Sequence, residues 1–509
     1  MPRPAGRRHF LTHTAAVVAS APWTWSARAA SPMGFDEARH LLSRTSFGVT
    51  LEQVRSVGGL DYRDALDRLL ENRSFDMKTA APEWIEDSPR EASRSKAQLA
   101  AEKRKAKAEG MPAPKLRPGQ DQRRDLQFWW IDEMLVTERP LRERMVLFWH
   151  NHFTSSLKKV HYMPALYRQN MLFRREALGN FAVLLKAVAR DPAMLIYLDG
   201  ARSVARQPNE NFARELLELF TLGEGHYGET DIKQAARAFT GWGIDQDGKF
   251  TVRIDQHDSG EKTVLGKAGN LDGDDVLDAL LAHPQTAVTI VRKLWREFVS
   301  LTPNDGEVAR LADLFRKENY EIGPLLRALF ESRYFRDPGN RGSLIKSPVD
   351  LVVGTIHVLG VSALPQTELL RTLQGLGQVP FDPPNVKGWP GGKRWITSYS
   401  LLLRQQFLRR VIDASNITTA SATMAGSKPP RHGKGRMPAA GDDSTMQLGA
   451  SGPSDRSPQS MHLPSVLANA DIDALVRTLL PTPPIATIPT ESPDAAAAAA
   501  LLDFAYQLK

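Results

Sequence analysis

From Phe35 to about Ala414 the apolar residues of this chain recur at three- and four-residue spacing, and that period confines it to a helical fold. DEARHLLSRTSFG and YRDALDRLLEN show it first. DLQFWWIDEMLVTERPLRERMVLFWHNHFTSS reads as a helical pair broken at Pro140, because proline cannot continue a helix across its own missing N–H. IKQAARAFTGW follows, with Asp231 as the expected N-cap, and then DVLDALLAHP and AVTIVRKLWREFVS. SPVDLVVGTIHVLG starts at Ser347 as cap with Pro348 in its first turn, and SYSLLLRQQFLRRVIDA is the last core helix, ending near Ala414. The period changes to two at one place. KFTVRID alternates, HDSGEK carries turn residues with Gly260 supplying a positive φ, and TVLG returns. The expected fold is mainly α, an irregular multi-helix domain with one small inserted β-hairpin.

The most specific helix is PNENFARELLELFTLGEG, Pro208 to Gly225. On a wheel of about 100° per residue, Arg214, Glu215 and Glu218 fall within roughly 60° of Asn211. Phe212, Leu216, Leu219 and Phe220 cover the opposite side. Pro208 can open this helix and Gly223 can close it in a left-handed cap. Asn209 and Glu210 extend the polar stripe at its start, and Glu210–Arg214 is an i,i+4 pair.

The chain has 509 residues and no cysteine, which excludes disulfides, thiolate metal sites and cysteine nucleophiles. Its formal charge of +8 is unevenly spread. Residues 1–29 hold four arginines and no acid, and Arg90 to Arg124 holds eleven basic and four acidic residues. The remainder is slightly acidic. A nucleic-acid footprint needs basic groups on a folded face with stacking or base-reading partners, and this insert has no aromatic residue, so no nucleic-acid partner is expected. Residues 1–29 have the charged, apolar and small-residue parts of a secretion signal, with Ala27-Arg28-Ala29 as the cleavage site. Arg7-Arg8-His9-Phe10-Leu11 resembles a twin-arginine signal, departing from it at Gly6 and Thr12. No segment is apolar enough to span a bilayer, so the expected location is the periplasm or cell envelope. The mature chain divides into a helical domain at 30–414 with a charged insert at 85–124, a disordered linker at 415–460, and a short helical tail at 461–509.

Four constellations can carry chemistry. His150 and His152 point apart on a continuous helix, but can share a metal ion if the helix ends there; otherwise they are core histidines beside Trp149 and Phe153. Asn211, Glu215 and Glu218 can complete a divalent-metal site with His152, or act as a general acid and base, or form a solvated face. His257-Asp258 suits either a metal shell or a turn. FDPPNVKGWPGGKRWI, Phe381 to Ile396, is a rigid loop whose Trp389, beside Lys387, can stack a sugar ring or plug the bundle with Trp395. The P-loop, G-x-S-x-G and H-E-x-x-H patterns are missing.

ARHLLSRTSFG, LFWHNHF, PNENFARELLELFTLGEG, ETDIKQAARAFTGW, HDSGEKTVLG and FDPPNVKGWPGGKRWI, in that order over about 35–412, resemble the bacterial exported family catalogued as domain of unknown function 1800. The resemblance implies a helical, exported protein without an established activity. It also implies a possible partner from the sulfatase-like domain of unknown function 1501 family, and it supplies no catalytic residues. The expected function is an accessory or binding protein of the envelope, with protein or polysaccharide partners. The alternative is a metal-dependent hydrolase built on His152, Asn211, Glu215, Glu218 and His257.

Overall fold

Helical spacing becomes helix almost throughout. The computed structural model describes residues 32–71, 77–89, 118–360, 364–424 and 470–509, with a few residues between 101 and 109. Residues 1–29, most of the charged insert and most of the 415–460 linker lie outside the described residues. Among the described residues there are twenty α-helices and two small antiparallel two-stranded ribbons, joined by short 3-10 turns and loops. The chain is mainly α.

The central element is the helix Pro140–His152. Leu141, Met145, Val146, Phe148 and Trp149 are buried along it, and so are Arg142, Glu143, Arg144, His150 and His152. A helix buried on every side must pair its charges internally. Arg174 does this for Glu143 with a two-pronged contact of 2.5 and 2.7 Å, and Trp130 Nε1 donates to the same carboxylate at 3.2 Å. Around it pack Pro118–Val136, Met163–Arg175 and Phe181–Ala189 in one continuous apolar core. The first of these begins at Pro118, so the end of the charged insert is already core helix.

The strand residues are as expected, but each run finds its own partner. Phe250–Val252 turns back onto Trp242–Ile244, with Trp242 opposite Val252. Lys262–Val264 pairs forward with Lys267–Gly269. The HDSGEK segment separates two ribbons instead of joining one hairpin. Gly260 is outside the positive-φ residues, whereas Gly248 and Gly266, at φ 78° and 81°, serve the two turns. Asp231 is displaced too: the helix Glu229–Ala238 is capped at Gly228, whose N–H donates to Asp231 Oδ2 at 2.9 Å. The Ser347 cap and Pro348 start occur as expected.

The largest departure is the tail. Ile472–Leu479 and Pro493–Leu502 are not an appendage. Leu475, Leu479, Ala497, Ala500 and Leu501 belong to the main core, because alanine side chains let the last helix approach Ser398–Met424 closely. Backbone bonds clip the tail onto 344–346, from Lys509 N–H to Leu344 at 2.7 Å and from Lys346 N–H to Gln507 at 2.8 Å. Lys509 Nζ reaches the buried Asp350 at 2.7 Å, and Arg144 pairs with that same carboxylate. The Ser398–Met424 helix runs ten residues beyond the expected end at Ala414.

Candidate functional site

Asn209 caps the Glu210–Glu215 helix through Asn211 N–H at 2.8 Å. The chain then widens into a π-turn at Leu216–Thr221. Leu222 N–H bonds Leu217 O at 2.8 Å, and Thr221 Oγ1 donates to Leu216 O at 2.7 Å. The turn ends at Gly223 with φ 83°, the expected left-handed cap. A π-turn breaks the 100° wheel and frees carbonyls, and such turns recur at functional sites. Phe212, Leu216 and Phe220 are buried as expected, while Leu219 is only partly so.

The Leu219 carbonyl has a use. Lys293 Nζ donates to it at 2.7 Å and lies 2.9 Å from His152 Nδ1. Burial pushes the lysine down to about 8, and burial with the Lys293 charge pushes His152 well below its usual range. Lys293 therefore occupies the Nδ1 side of His152, and Nε2 has no hydrogen-bond partner among the described residues. His150 is elsewhere, in a cage of Trp130, Phe173, Phe381 and Trp389, with neither ring nitrogen partnered among the described residues. Asn211 Nδ2 and Asn209 Nδ2 both donate to Leu198 O at 3.2 Å. His257 Nδ1 meets Thr240 O at 3.0 Å, and Asp258 is held two-pronged by Arg237, which is turn chemistry. Asn211 stays one turn before Glu215 in the same helix, while His150, His152 and His257 each have contacts of their own. Among the described residues no three His, Asp or Glu side chains group as metal ligands.

The two glutamates do share a surface, with Lys387 of the Pro- and Gly-rich loop and with two tyrosines the sequence did not single out. Glu218 accepts from Tyr227 OH at 3.1 Å and sits 3.6 Å from Lys387 Nζ, which also reaches Glu224 at 3.5 Å. Lys387, not Arg214, is thus the cation beside the pair. Arg214 turns to Glu229 at 2.8 and 2.9 Å, with Glu210 at 3.7 Å. Glu215 is partly buried and accepts no hydrogen bond among the described residues; burial and the Glu218 charge raise its carboxyl above the usual range. Tyr197 feels both Glu215 and Asp382, and burial first, with those charges, raises its phenol. Asp382 accepts from Ser156 at 3.1 Å and pairs with Lys158 at 3.3 Å. The chain is strained here: Phe381 and Asp199 hold φ of 61° and 60°.

The Pro- and Gly-rich loop is the rigid segment expected, and it acts as a plug. Trp389 is 4 % exposed and stacks obliquely on His150 at 5.6 Å, so it offers no face to a sugar. Asn151 Oδ1 accepts the Trp389 N–H at 2.7 Å, and Gly388, with φ 79°, lets the loop pass against Asn151. Trp395 is buried as well.

A family model described as a protein of unknown function, DUF1800, matches residues 40–503. The chain belongs to this family. The DUF1800 match takes in the tail helices, beyond the 35–412 stretch of the six phrases, as their place in the common core requires. No curated protein and no solved structure matches this chain. In this DUF1800 member the signals missed were Tyr227, six residues after the π-turn, and Asp382, inside a phrase already singled out. Lys293 and Tyr197 lie in ordinary helical patterns that carry no such signal.

Proposed function

We propose that this DUF1800 protein is an exported envelope protein that acts by binding, through the surface formed by Glu215, Glu218, Tyr197, Tyr227 and Lys387. One observation carries the reading: Glu215 is a partly buried carboxylate with no hydrogen-bond donor among the described residues, held beside a second carboxylate. Such a group loses hydration without a replacement partner, and a ligand supplying hydroxyl or ammonium donors restores it. The chemistry fits a polysaccharide bearing hydroxyl and amino groups. Export rests on the N-terminal signal pattern, and a sulfatase-like protein partner rests on the family resemblance.

Titration calorimetry with a partly deacetylated chito-hexaose tests the site. Glu215→Gln with Glu218→Gln weakens binding at least tenfold, since charge-assisted bonds become neutral ones. Equal affinity in wild type and variant, or no heat in either, refutes the reading. The mass of the mature protein from the cell envelope, with the first 29 residues removed, checks export. Co-purification of a sulfatase-like protein checks the partner.

A further inference from the structure

Where the tail meets the first helix, the interior holds far more positive than negative charge. Arg39, Arg44, Arg144, Lys346, Arg404 and Lys509 converge there against Asp350 and Glu297. Four guanidiniums and two lysines, both pushed down by burial, face two carboxylates. Both carboxylates are already engaged: Arg144 and Lys509 hold Asp350, and Arg144 bonds Glu297 at 2.7 Å. Asp36, at the rim, is held by Arg477 at 2.8 Å and Arg341 at 3.5 Å.

Three of these cations, Arg39, Lys346 and Lys509, line a cavity of about 30 Å³ together with Asp350, Tyr506 and an apolar side that includes Phe47. Arg39 is buried and spends one N–H on Thr478 O at 3.3 Å; its Nη1 has no partner among the described residues. Arg44, fully buried, leaves Nε and Nη1 without partners there as well. Lys346 Nζ lies 3.3 Å from the Tyr506 ring centroid and makes no hydrogen bond among the described residues.

Burying an unpaired cation costs several kcal/mol, and a guanidinium cannot escape by losing its proton. A bound anion is the remaining compensation. We infer that this cavity binds a compact tetrahedral oxyanion, phosphate or sulfate, either free or esterified to a larger molecule, between Arg39, Lys346 and Lys509. The cavity has room for roughly two water-sized groups, so two oxygens of the head group enter it and the rest stays in its open mouth. Lys346 is partly exposed, so the cavity opens to solvent on its side. The guanidinium fork of Arg39 supplies two donors to the oxyanion, and the ammonium of Lys346 a point charge.

The test uses the full chain, titrated with sodium phosphate, sodium sulfate or glycerol 3-phosphate against chloride at equal ionic strength. Wild type gains a saturable rise in thermal midpoint, on the order of 2 °C, and a matching heat of binding. Sulfate and phosphate stabilise most proteins weakly without binding, so the variant decides. Lys346→Gln lies at the rim and loses no hydrogen bond, so it folds; it loses the saturable part and keeps the linear part. Arg39→Lys keeps the charge without the fork and binds about tenfold more weakly. Binding of the inorganic ions assigns the site to a free oxyanion, and binding of glycerol 3-phosphate alone assigns it to an ester. No saturable response to any of the three in wild type, or an unchanged response in Lys346→Gln, overturns the inference.

Discussion

The Glu215 surface and the Asp350 interior use the same kinds of side chain under opposite conditions. At the surface two carboxylates, a lysine and two phenols lie near water, where each charge keeps part of its hydration and ion pairs contribute little. In the interior two carboxylates face four guanidiniums and two lysines, and Arg144 and Asp350 are almost sealed from solvent, with side-chain exposures of 3 % and 4 %. There the pairing is indispensable once the charges are present, because a deserted partner stays buried. The surface can therefore vary its charges and keep its fold, whereas the paired group Arg144, Asp350 and Lys509 cannot. The same contrast separates a place available for recognition from a place that locks the tail.

The largest effect expected follows directly. Asp350→Ala leaves Arg144 and Lys509 without their shared carboxylate and removes a ligand of the Ser347 cap, whose N–H donates to Asp350 Oδ2 at 2.9 Å. The loss expected is about 3–5 kcal/mol, read as a shift in the urea midpoint. Burial alone raises this carboxyl, but Arg144 and Lys509 outweigh it and hold it far below the usual range. A depressed carboxyl contributes stability above its unfolded pKa of about 4 and loses it as pH falls further. Wild type therefore weakens below about pH 4 in a way the variant does not. A variant as stable as wild type would show that the tail is held by apolar contact alone.

How much of this could be read in the sequence differs between the two regions for the same reason. The Glu215 stripe is local: Asn209 to Gly223 is one stretch, and its terminating glycine and buried face follow from spacing, although the helix opens at Glu210 behind an Asn209 cap and not at Pro208. The π-turn did not show, because nothing in LLELFT marks an extra residue per turn, and tertiary demand for the Leu219 carbonyl selects it. The Asp350 cluster is assembled from residues near 40, 144, 346, 404 and 509, and no window of sequence contains two of these neighbourhoods. The tail's helices were legible, but their packing into the main core was not. Six alanines beyond a Ser- and Gly-rich stretch look like an appendage, yet small side chains are what a closely packed last helix needs. The histidines failed through a third route, since an H-x-H pair says nothing of what covers each ring.

His150 sharpens the contrast, being buried like Asp350 but partnered like neither region. Burial pushes its imidazole down to about 3, so the folded protein holds it neutral. The unfolded chain binds a proton there below about pH 6.5, and stability at this site falls as pH drops from 6.5 towards 3. His150→Leu removes this loss. The variant equals or exceeds wild type at pH 7 and retains about 3 kcal/mol more at pH 4, measured by urea unfolding at both values. Identical acid limbs would mean that the imidazole meets a proton acceptor among the residues around it.

Gly388 tests the scaffold that joins the two regions. A Cβ there falls 2.2 Å from Asn151 Oδ1 and 2.6 Å from Asn151 O, on a backbone at φ 79°. Gly388→Ala costs about 2 kcal/mol or more from strain and displacement together. It also loosens Trp389, seen as a red-shifted tryptophan emission, and draws Lys387 away from Glu218. The polysaccharide affinity then changes through the surface while the oxyanion response does not. Parallel loss of both would show that the loop supports the whole bundle.

The smallest effect is the one most diagnostic of a surface meant for a ligand. Glu215→Gln removes a charge that pays no structural return: the carboxylate accepts no hydrogen bond among the described residues and is repelled by Glu218. A carboxyl raised in the folded state contributes stability at low pH and loses it as pH rises through the folded value. The glutamine variant should match wild type near pH 4 and exceed it by a few tenths of a kcal/mol at pH 7, within the roughly 0.5 kcal/mol typical of surface substitutions. Thermal midpoints at the two pH values measure this. A destabilisation above about 1 kcal/mol would mean that Glu215 serves the fold, and the binding surface would then lose the residue it is argued from. A neutral or stabilised variant that has lost affinity instead separates recognition from folding at this position, which a substitution of Asp350 cannot do.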